Sequence, residues 1–254
     1  MVLRGESTMT QLFKSFWSSD NPKAEKAQKY GWLNGINYGA PHTLAGVGNM
    51  CPNASPGCIK LCLGVESGNA KLYDSVLQSR IAKIRMFALN RKEYMSLMVT
   101  RARSIVKKAE KANMKLCLRP NGSTDIPYEA IKANESGNNI MEIFPTTQFA
   151  DYTKSFKRMV KFLSGRMPNN YHLVFSYNEN NEDECRKVLA MGGQVAVCFA
   201  YGLPKWFLGH KVVNGDIHDL IHLQPMGHVI GLSPKGAMAK ADTSGFVVRD
   251  YYKW

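Results

Sequence analysis

Residues 172–199 have the sequence HLVFSYNENNEDECRKVLAMGGQVAVCF, in which two short apolar runs, 172–175 and 195–199, flank a helical stretch at 181–191. Short apolar runs on either side of a helix are typical of buried parallel strands in a β-α-β unit. The crossover in such a unit is right-handed, so repeated units form an open parallel sheet or a barrel. This stretch therefore predicts an α/β fold.

The same alternation extends over most of the chain. Apolar residues at helical spacing predict helices at 69–89, 91–113 and 151–163. Further apolar runs predict strands at 116–118, 141–144, 220–223 and 228–232, after a weaker glycine-rich strand at 32–39. About seven strands suit an incomplete parallel β/α barrel better than a full eight-stranded one. We therefore expect an irregular N-terminal arm at residues 1–30 and a single partial-barrel domain at residues 31–254.

Composition restricts the class of protein. The chain has 254 residues, 44% of them hydrophobic, which suffices for one large core. It contains no run of about 18 apolar residues, and its N-terminus lacks the order of a secretory signal. We therefore expect a cytoplasmic protein that does not enter a membrane. Disulfides are rare in a reducing cytosol, so clustered cysteines there favour metal binding.

One short loop contains three cysteines. Residues 50–62 have the sequence MCPNASPGCIKLC, so Cys51, Cys58 and Cys62 follow the pattern Cys-x6-Cys-x3-Cys. The prolines and the glycine prevent a long helix or strand, which lets the backbone fold around a metal. Three thiolates leave one iron of a [4Fe–4S] cluster open, whereas a closed zinc site needs a fourth ligand. We predict a [4Fe–4S] cluster on these cysteines; the alternatives are zinc completed by His42 or Cys117, or unligated thiols.

Polar residues follow the predicted strands at their carboxyl ends. In parallel α/β folds these ends meet at one rim, where binding and catalytic residues lie. The cysteine loop follows the first strand and would open on the same rim. Turn and helix-cap chemistry is the alternative role for such residues. The candidates for binding a cofactor are Arg119, Asn121, Asp125, Ser176, Asn178 and Lys235; no catalytic residue is assigned.

The charge of the chain suggests a polyanionic partner. Lys and Arg total 33 against 20 acidic residues, a net charge of +13, which attracts nucleic acids or nucleotides independently of their sequence. Excess lysine that only keeps the protein in solution is the alternative. Basic groups on two predicted helices are the candidate nucleic-acid-binding residues, namely Lys107, Lys108, Lys111, Lys157 and Arg158.

A first strand, a three-cysteine loop, a helix and then repeated β-α units resemble the architecture of radical S-adenosylmethionine enzymes. This resemblance implies a partial barrel with a [4Fe–4S] cluster at its mouth, and it makes S-adenosylmethionine a candidate cofactor. The usual loop of those enzymes is Cys-x3-Cys-x2-Cys, and no Gly-Gly-Glu-type stretch is evident in this chain. Both differences count against S-adenosylmethionine.

Three further motifs resemble gene product 88-like bacteriophage proteins. They are the cysteine loop at 51–62, the turn LRPNGSTD at 118–125, and VIGLSPKG at 229–236 followed by DTSGFV at 242–247. This resemblance covers residues 30 to 250 approximately and implies a phage protein that acts in an infected bacterium.

Two functions are compatible with these patterns. The first is an iron–sulfur enzyme that performs radical or redox chemistry on a nucleotide or nucleic acid. The alternative is a non-enzymatic nucleic-acid-binding factor of phage replication or regulation, in which an iron–sulfur or zinc site is structural.

Overall fold

The computed structural model describes residues 16–20, 22–66 and 69–251. In these residues nine strands form one sheet with the order β1-β2-β3-β4-β5-β8-β7-β6, and β9 lies beside β5. Among the nine strands of the described residues, only β6 and β7 pair in antiparallel orientation. The sheet is not closed, because β1 and β6 are its two ends. The strands are β1 (Trp32–Ile36), β2 (Lys115–Arg119), β3 (Gln148–Thr153), β4 (Tyr171–Ser176), β5 (Val195–Phe199), β6 (Trp206–Phe207), β7 (His210–Asn214), β8 (Val229–Leu232) and β9 (Val247–Val248).

Helices connect most of these strands, which confirms the mixed α/β prediction. The helices predicted at 69–89, 91–113 and 181–191 are present, with the first interrupted at Tyr73. The α-helices in the described residues are α1 (Pro22–Gln28), α2 (Pro56–Lys60), α3 (Asn69–Leu72), α4 (Asp74–Leu89), α5 (Arg91–Lys111), α6 (Ile140–Ile143), α7 (Phe156–Leu163), α8 (Glu182–Ala190) and α9 (Gly236–Lys240). None of these helices is long and apolar enough to cross a membrane.

Alternation along the strands gives the sheet two buried faces. On one face, Leu116 and Leu118 of β2 pack with the apolar sides of α4, α5, α7 and α8 in the main core. On the second face, Cys117 belongs to a smaller core with small and branched side chains from neighbouring strands. Ala27 of α1 and the segment Leu220-Ile221 close this second core. The four long helices therefore lie on one side of the sheet, and short segments cover the other side.

The described part of the predicted N-terminal arm packs on the domain. Phe16 and Trp17 are buried, and the Trp17 indole donates a hydrogen bond to the Met98 carbonyl at 3.3 Å. Ser18 exchanges two backbone hydrogen bonds with Ile36 at the free edge of β1. Residues 1–15 and 21 lie outside the described residues.

Two predicted strands are wrong. Residues 141–144 lie mostly in α6, which begins with a capping box in which Asn139 Oδ1 accepts from the Met141 and Glu142 amides. The Glu142 carboxylate in turn accepts from the Asn139 amide at 2.8 Å. Residues 220–223 form a short 3₁₀ turn at 221–223, preceded by Asp219 with a φ of 54°. Short apolar runs do not distinguish a strand from a buried helical turn.

Four strands were not predicted, namely β3, β6, β7 and β9. The helix expected at 151–163 begins only at Phe156, because the residues before it belong to β3. Asp151 and Thr153 made that stretch look polar, although both side chains are buried and hydrogen-bonded.

Candidate functional site

The cysteine loop follows β1 and contains the one-turn helix α2. Ser55 caps this helix, since its hydroxyl accepts from the Cys58 amide at 3.2 Å, and Pro56 occupies the first helical position. Cys58 therefore lies within the turn, and Cys62 follows just after its end. The cap and the helical turn set the spacing of these two cysteines along the loop.

Glu179, which follows β4, anchors the loop from across the chain. Its carboxylate accepts from the Ser55 hydroxyl and from the Gly57 amide, each at 2.7 Å. The approach at Gly57 is close, because a Cβ there would lie 2.6 Å from Ser244 Oγ and 2.8 Å from Glu179 Oε1. Glycine at this position thus lets the loop contact both the β4 end and the C-terminal segment.

Cys51 is held against the turn that follows β2. Its sulfur accepts from the His42 amide at 3.4 Å and donates to the Ser123 carbonyl at 3.8 Å. The Asp125 amide donates to the Met50 carbonyl at 2.8 Å, which fixes the backbone just before Cys51. The structure therefore places the loop over the carboxyl ends of β1, β2 and β4, as predicted from the order of elements.

The three loop thiols share one electrostatic neighbourhood. The pKa of Cys51 is raised to about 12, mainly by burial; the His42 amide acts against this shift, and the nearby Cys62, Asp125 and Cys58 contribute to it. Burial also raises the pKa of Cys62, with Cys58 acting in the same direction and Lys154 and Arg80 against it. All six cysteines are free, so no disulfide uses these thiols.

The arrangement of the described side chains shows no site for a single metal ion. In the described part of the chain, no group of three or more His, Cys, Asp or Glu side chains surrounds the position of one metal ion. A [4Fe–4S] cluster binds each cysteine at a different iron, so its ligands surround a larger group than one zinc ion does. Cys51, Cys58 and Cys62, half-buried beside Lys154 and Arg80, are the residues that would hold it.

Lys154 lies near the cysteines, although it was not among the candidate site residues predicted from the sequence. It follows β3, and its ammonium donates to Ser176 Oγ at 2.8 Å at the end of β4. It also lies 5.6 Å from the ring centre of Phe246. Lys154 acts electrostatically on Cys62 and contacts Ser176. The predicted candidate Ser176 is therefore linked to the cysteine loop by Lys154. A basic residue directly after a buried strand was the available signal, but β3 itself was missed.

Asn121 and Asp125 shape the turn beneath Cys51 by hydrogen bonds within the protein. Asn121 donates to Asp151 Oδ2 at 3.0 Å, and its Oδ1 accepts from Thr124 and from the Ile126 amide, each at 2.8 Å. Asp125 accepts from Thr153 and from the Lys154 amide, each at 2.9 Å. Both residues lie at strand ends, as predicted from the sequence. Their polar atoms already form hydrogen bonds within the protein.

Arg158 does not belong to an exposed basic surface. Its guanidinium is 7% exposed and pairs with Asp125 and with Glu129, the latter at 2.8 Å, and it donates to the Tyr171 hydroxyl at 2.9 Å. Two carboxylates neutralise this cation inside the protein. We therefore remove Arg158 from the nucleic-acid-binding residues predicted from the sequence.

The other basic candidates lie at the surface of the helices. Lys107 and Lys111 of α5 and Lys157 of α7 are exposed. The Lys108 ammonium already interacts within the protein, because it pairs with Asp20 at 3.0 Å and donates to Ser19 at 2.9 Å.

Arg119 lies on the second face of the sheet, at the end of β2. Its guanidinium is 3% exposed, pairs with Asp219 at 2.8 Å and lies 5.1 Å from the ring centre of Tyr152. Within the described residues, Arg119 Nε and Asn34 Oδ1 are buried without a hydrogen-bond partner. A buried polar group without a partner costs free energy, so these two atoms are exceptions among the buried polar groups of the sheet.

The two remaining candidates have local roles. Asn178 is buried and accepts from the Asn180 amide at 2.8 Å in the turn before α8. Lys235 pairs with Asp216 at 3.1 Å at the surface. The contacts found for these side chains do not reach the cysteine loop.

Comparison with known proteins identifies the family. The family model described as Gene product 88 matches residues 11–250, which is nearly the whole chain. No curated protein matches the chain. No solved structure matches it either. The match confirms the resemblance that the cysteine loop and the two turns indicated, and the chain belongs to the gene product 88 family.

Proposed function

We propose that this protein is an iron–sulfur enzyme of phage origin. Its sheet is interpreted as a partial β/α barrel similar to that of radical S-adenosylmethionine enzymes, with a [4Fe–4S] cluster on Cys51, Cys58 and Cys62 at the mouth. The substrate is a nucleotide or nucleic acid, and the reaction takes place in the cytoplasm of the infected bacterium. The observation that carries the proposal is that three free thiols of one loop lie within electrostatic range of one another, with Cys51 against the turn that follows β2.

The position of the long helices supports the barrel interpretation. They lie on one side of the parallel sheet, while α1 and the 220–221 segment fill the other side. Asn34 of β1 donates to Asp219 at 3.5 Å, and the Lys26 ammonium donates to the Asp216 carbonyl at 2.9 Å. The segment after β7 thus contacts β1 and α1.

The residues around the loop have distinct roles in this proposal. A bound [4Fe–4S] cluster with an open iron would supply one-electron chemistry. Glu179 orients the loop through Ser55 and Gly57, and the His42 amide donates to the Cys51 sulfur, a hydrogen bond that a thiolate also accepts. Lys154 and Arg80 place positive charge beside thiolates, which favours their ligating form.

Anaerobic purification with iron and sulfide analysis tests this function. We expect about four iron and four sulfide per chain from the composition of the cluster. Spectroscopy of the reduced protein, with and without S-adenosylmethionine, then tests whether a small molecule reaches the open iron. A product that contains zinc and no iron would contradict the enzyme proposal.

The alternative is a nucleic-acid-binding factor with a structural cluster. The exposed lysines of α5 favour it, because they form a basic surface independent of the cysteines. In that case added ligands would leave the spectrum of the cluster unchanged. Nucleic-acid binding would then persist without any change in the nucleic acid.

A further inference from the structure

The β6–β7 hairpin occupies the connection after β5, where a helix follows β3 and β4. Phe207 of β6 anchors it, since its ring centre lies 5.1 Å from that of Phe199 and 6.0 Å from that of Tyr177. Successive residues of a strand point to opposite sides. Trp206 therefore points away from the core, and 49% of it is exposed.

A groove of about 410 Å³ lies between this hairpin and the segment after β5. Tyr201, Leu203, Lys205 and Trp206 line it, and Tyr251 forms its buried floor. The Tyr251 hydroxyl accepts from the Tyr201 amide and donates to the Gly202 carbonyl, each at 2.9 Å. The aromatic walls thus stand on a fixed backbone, although Tyr201 is 61% exposed.

The groove carries positive charge. Residues 200–215 include Lys205 and Lys211 and no Asp or Glu. Arg249 donates to the Tyr201 hydroxyl at 2.7 Å, and Lys211 lies 5.9 Å from the Trp206 ring centre. In the described ranges, the ion pairs found involve none of these three cations. Asp250 is exposed next to Arg249 in sequence, and Arg249 also interacts with the Asp242 carboxylate, so three cations stand against two carboxylates and the groove keeps a small positive excess.

We propose that this groove binds single-stranded nucleic acid, with bases stacked on Tyr201 and Trp206 and phosphates beside Lys205, Lys211 and Arg249. Exposed aromatic rings within a basic groove are the features that hold single strands without sequence preference. A duplex keeps its bases stacked on each other and cannot offer them to these rings. The surface differs from α5 and α7, where the sequence alone suggested binding.

The location of the groove connects it to the proposed function. Tyr201 comes two residues after the end of β5, and Arg249 follows β9, whose residues pair with Cys198 and Phe199 of β5. One end of the groove therefore lies at the carboxyl ends of the strands, the same edge as the cysteine loop. Binding of the strand does not require the cluster; only its role as substrate rests on the proposed function.

Fluorescence anisotropy of the full-length protein with a labelled oligothymidylate tests the proposal. Because one stacked base contributes about 1–3 kcal/mol, we expect Trp206→Ala and Tyr201→Ala each to weaken binding about 5- to 150-fold. Trp206→Phe keeps an aromatic face and should restore most of the affinity. Tyr73→Ala is the matched control, because Tyr73 is 58% exposed and lies outside the groove. A duplex of the same length should bind more weakly than the single strand.

Several outcomes would overturn the proposal. If Trp206→Ala, Tyr201→Ala and Tyr73→Ala bind with equal affinity, the groove does not hold the strand. The groove would then be a surface for a protein partner. If the duplex binds as tightly as the single strand, electrostatic attraction accounts for the binding and base stacking on the two rings does not contribute. Unchanged thermal unfolding of the variants confirms that lost binding is not lost folding. If the wild type contains no iron but the groove variants still lose binding, the proposed function fails and this inference stands.

Discussion

The cysteine side and the hairpin side of the molecule differ in whether their charged side chains are buried or exposed. On the cysteine side, which comprises the loop at 41–66 and the ends of β1 to β4, charged groups such as Arg158 and Lys83 are buried and bonded. On the hairpin side, which comprises residues 200–211 and 249–251, Lys205 and Lys211 are exposed beside exposed aromatic rings.

This difference separates two kinds of binding. Thiolates that hold a cluster need fixed positions, and hydrogen bonds such as those of Glu179 to the loop provide them. A polymer of variable sequence instead needs exposed charge and rings that accept any base. The predictions below test the two sides separately, from the largest expected effect to the smallest.

The largest effect is expected from Cys58→Ala. We expect this variant to lose the bound iron and its brown colour, because a [4Fe–4S] cluster on two thiolates is poorly retained. Cys198→Ala is the matched control, since Cys198 is also half-buried but lies in β5 outside the loop. Iron analysis after anaerobic purification makes the comparison, and full iron content in Cys58→Ala would refute the ligand assignment.

Lys83→Met should change the pH dependence of stability. Burial lowers the pKa of Lys83 from 10.5 to about 7, although its ammonium donates to Asn37 Oδ1 at 3.2 Å. Between these two values the unfolded chain binds the proton more strongly, so Lys83 makes the free energy of unfolding rise with pH, by up to about 1.4 kcal/mol per unit. We therefore expect the free energy of unfolding of wild type to rise relative to that of Lys83→Met as pH increases from 7 to 10.

Urea unfolding at each pH measures this difference. Lys92→Met is the control, because the Lys92 side chain is 89% exposed on α5. A constant difference between Lys83→Met and wild type from pH 7 to 10 would show that Lys83 keeps an ordinary pKa in the folded protein.

Glu179→Gln should loosen the cysteine loop. The amide keeps one acceptor for the two bonds that the carboxylate makes, and loss of a charged hydrogen bond costs about 1–3 kcal/mol of unfolding free energy. We also expect faster loss of iron to a chelator. Glu182→Gln removes a carboxylate from an exposed pair with Arg186 at 2.8 Å and should change stability by less than about 1 kcal/mol. Equal behaviour of the two variants would contradict the anchoring role of Glu179.

The smallest effect is expected from Lys107→Gln combined with Lys111→Gln. If α5 contacts phosphates, the slope of log affinity against log salt concentration falls by about 0.7–0.9 for each phosphate that the variant no longer neutralises. Trp206→Ala should weaken binding with little change in that slope, because stacking releases no counterions. Anisotropy titrations at salt concentrations between about 50 and 200 mM measure both quantities. If the slope is unchanged in the lysine variant, α5 does not contact phosphates. Lys205, Lys211 and Arg249 of the groove would then be the next residues to replace.

The sequence predicted repeating local features better than contacts between distant residues. Strands β2, β4, β5 and β8 and helices α5 and α8 were predicted because an apolar run or a helical period is visible in adjacent residues. Strand β3 was missed because its Asp151 and Thr153 are satisfied by Asn121, Tyr171 and Asp125, which no local pattern reveals.

For this protein, the sequence by itself determined the alternation of strands and helices, the spacing of Cys51, Cys58 and Cys62, and the positive charge, since each depends on neighbouring residues or on composition. Only the tertiary structure decided which groups meet. Glu179 contacts Ser55 across 124 residues, Arg158 is buried between two carboxylates, and Trp206 stays exposed beside the groove. Folding brings such residues together through contacts whose energy depends on burial and direction, and neither is encoded in the order of neighbouring residues alone.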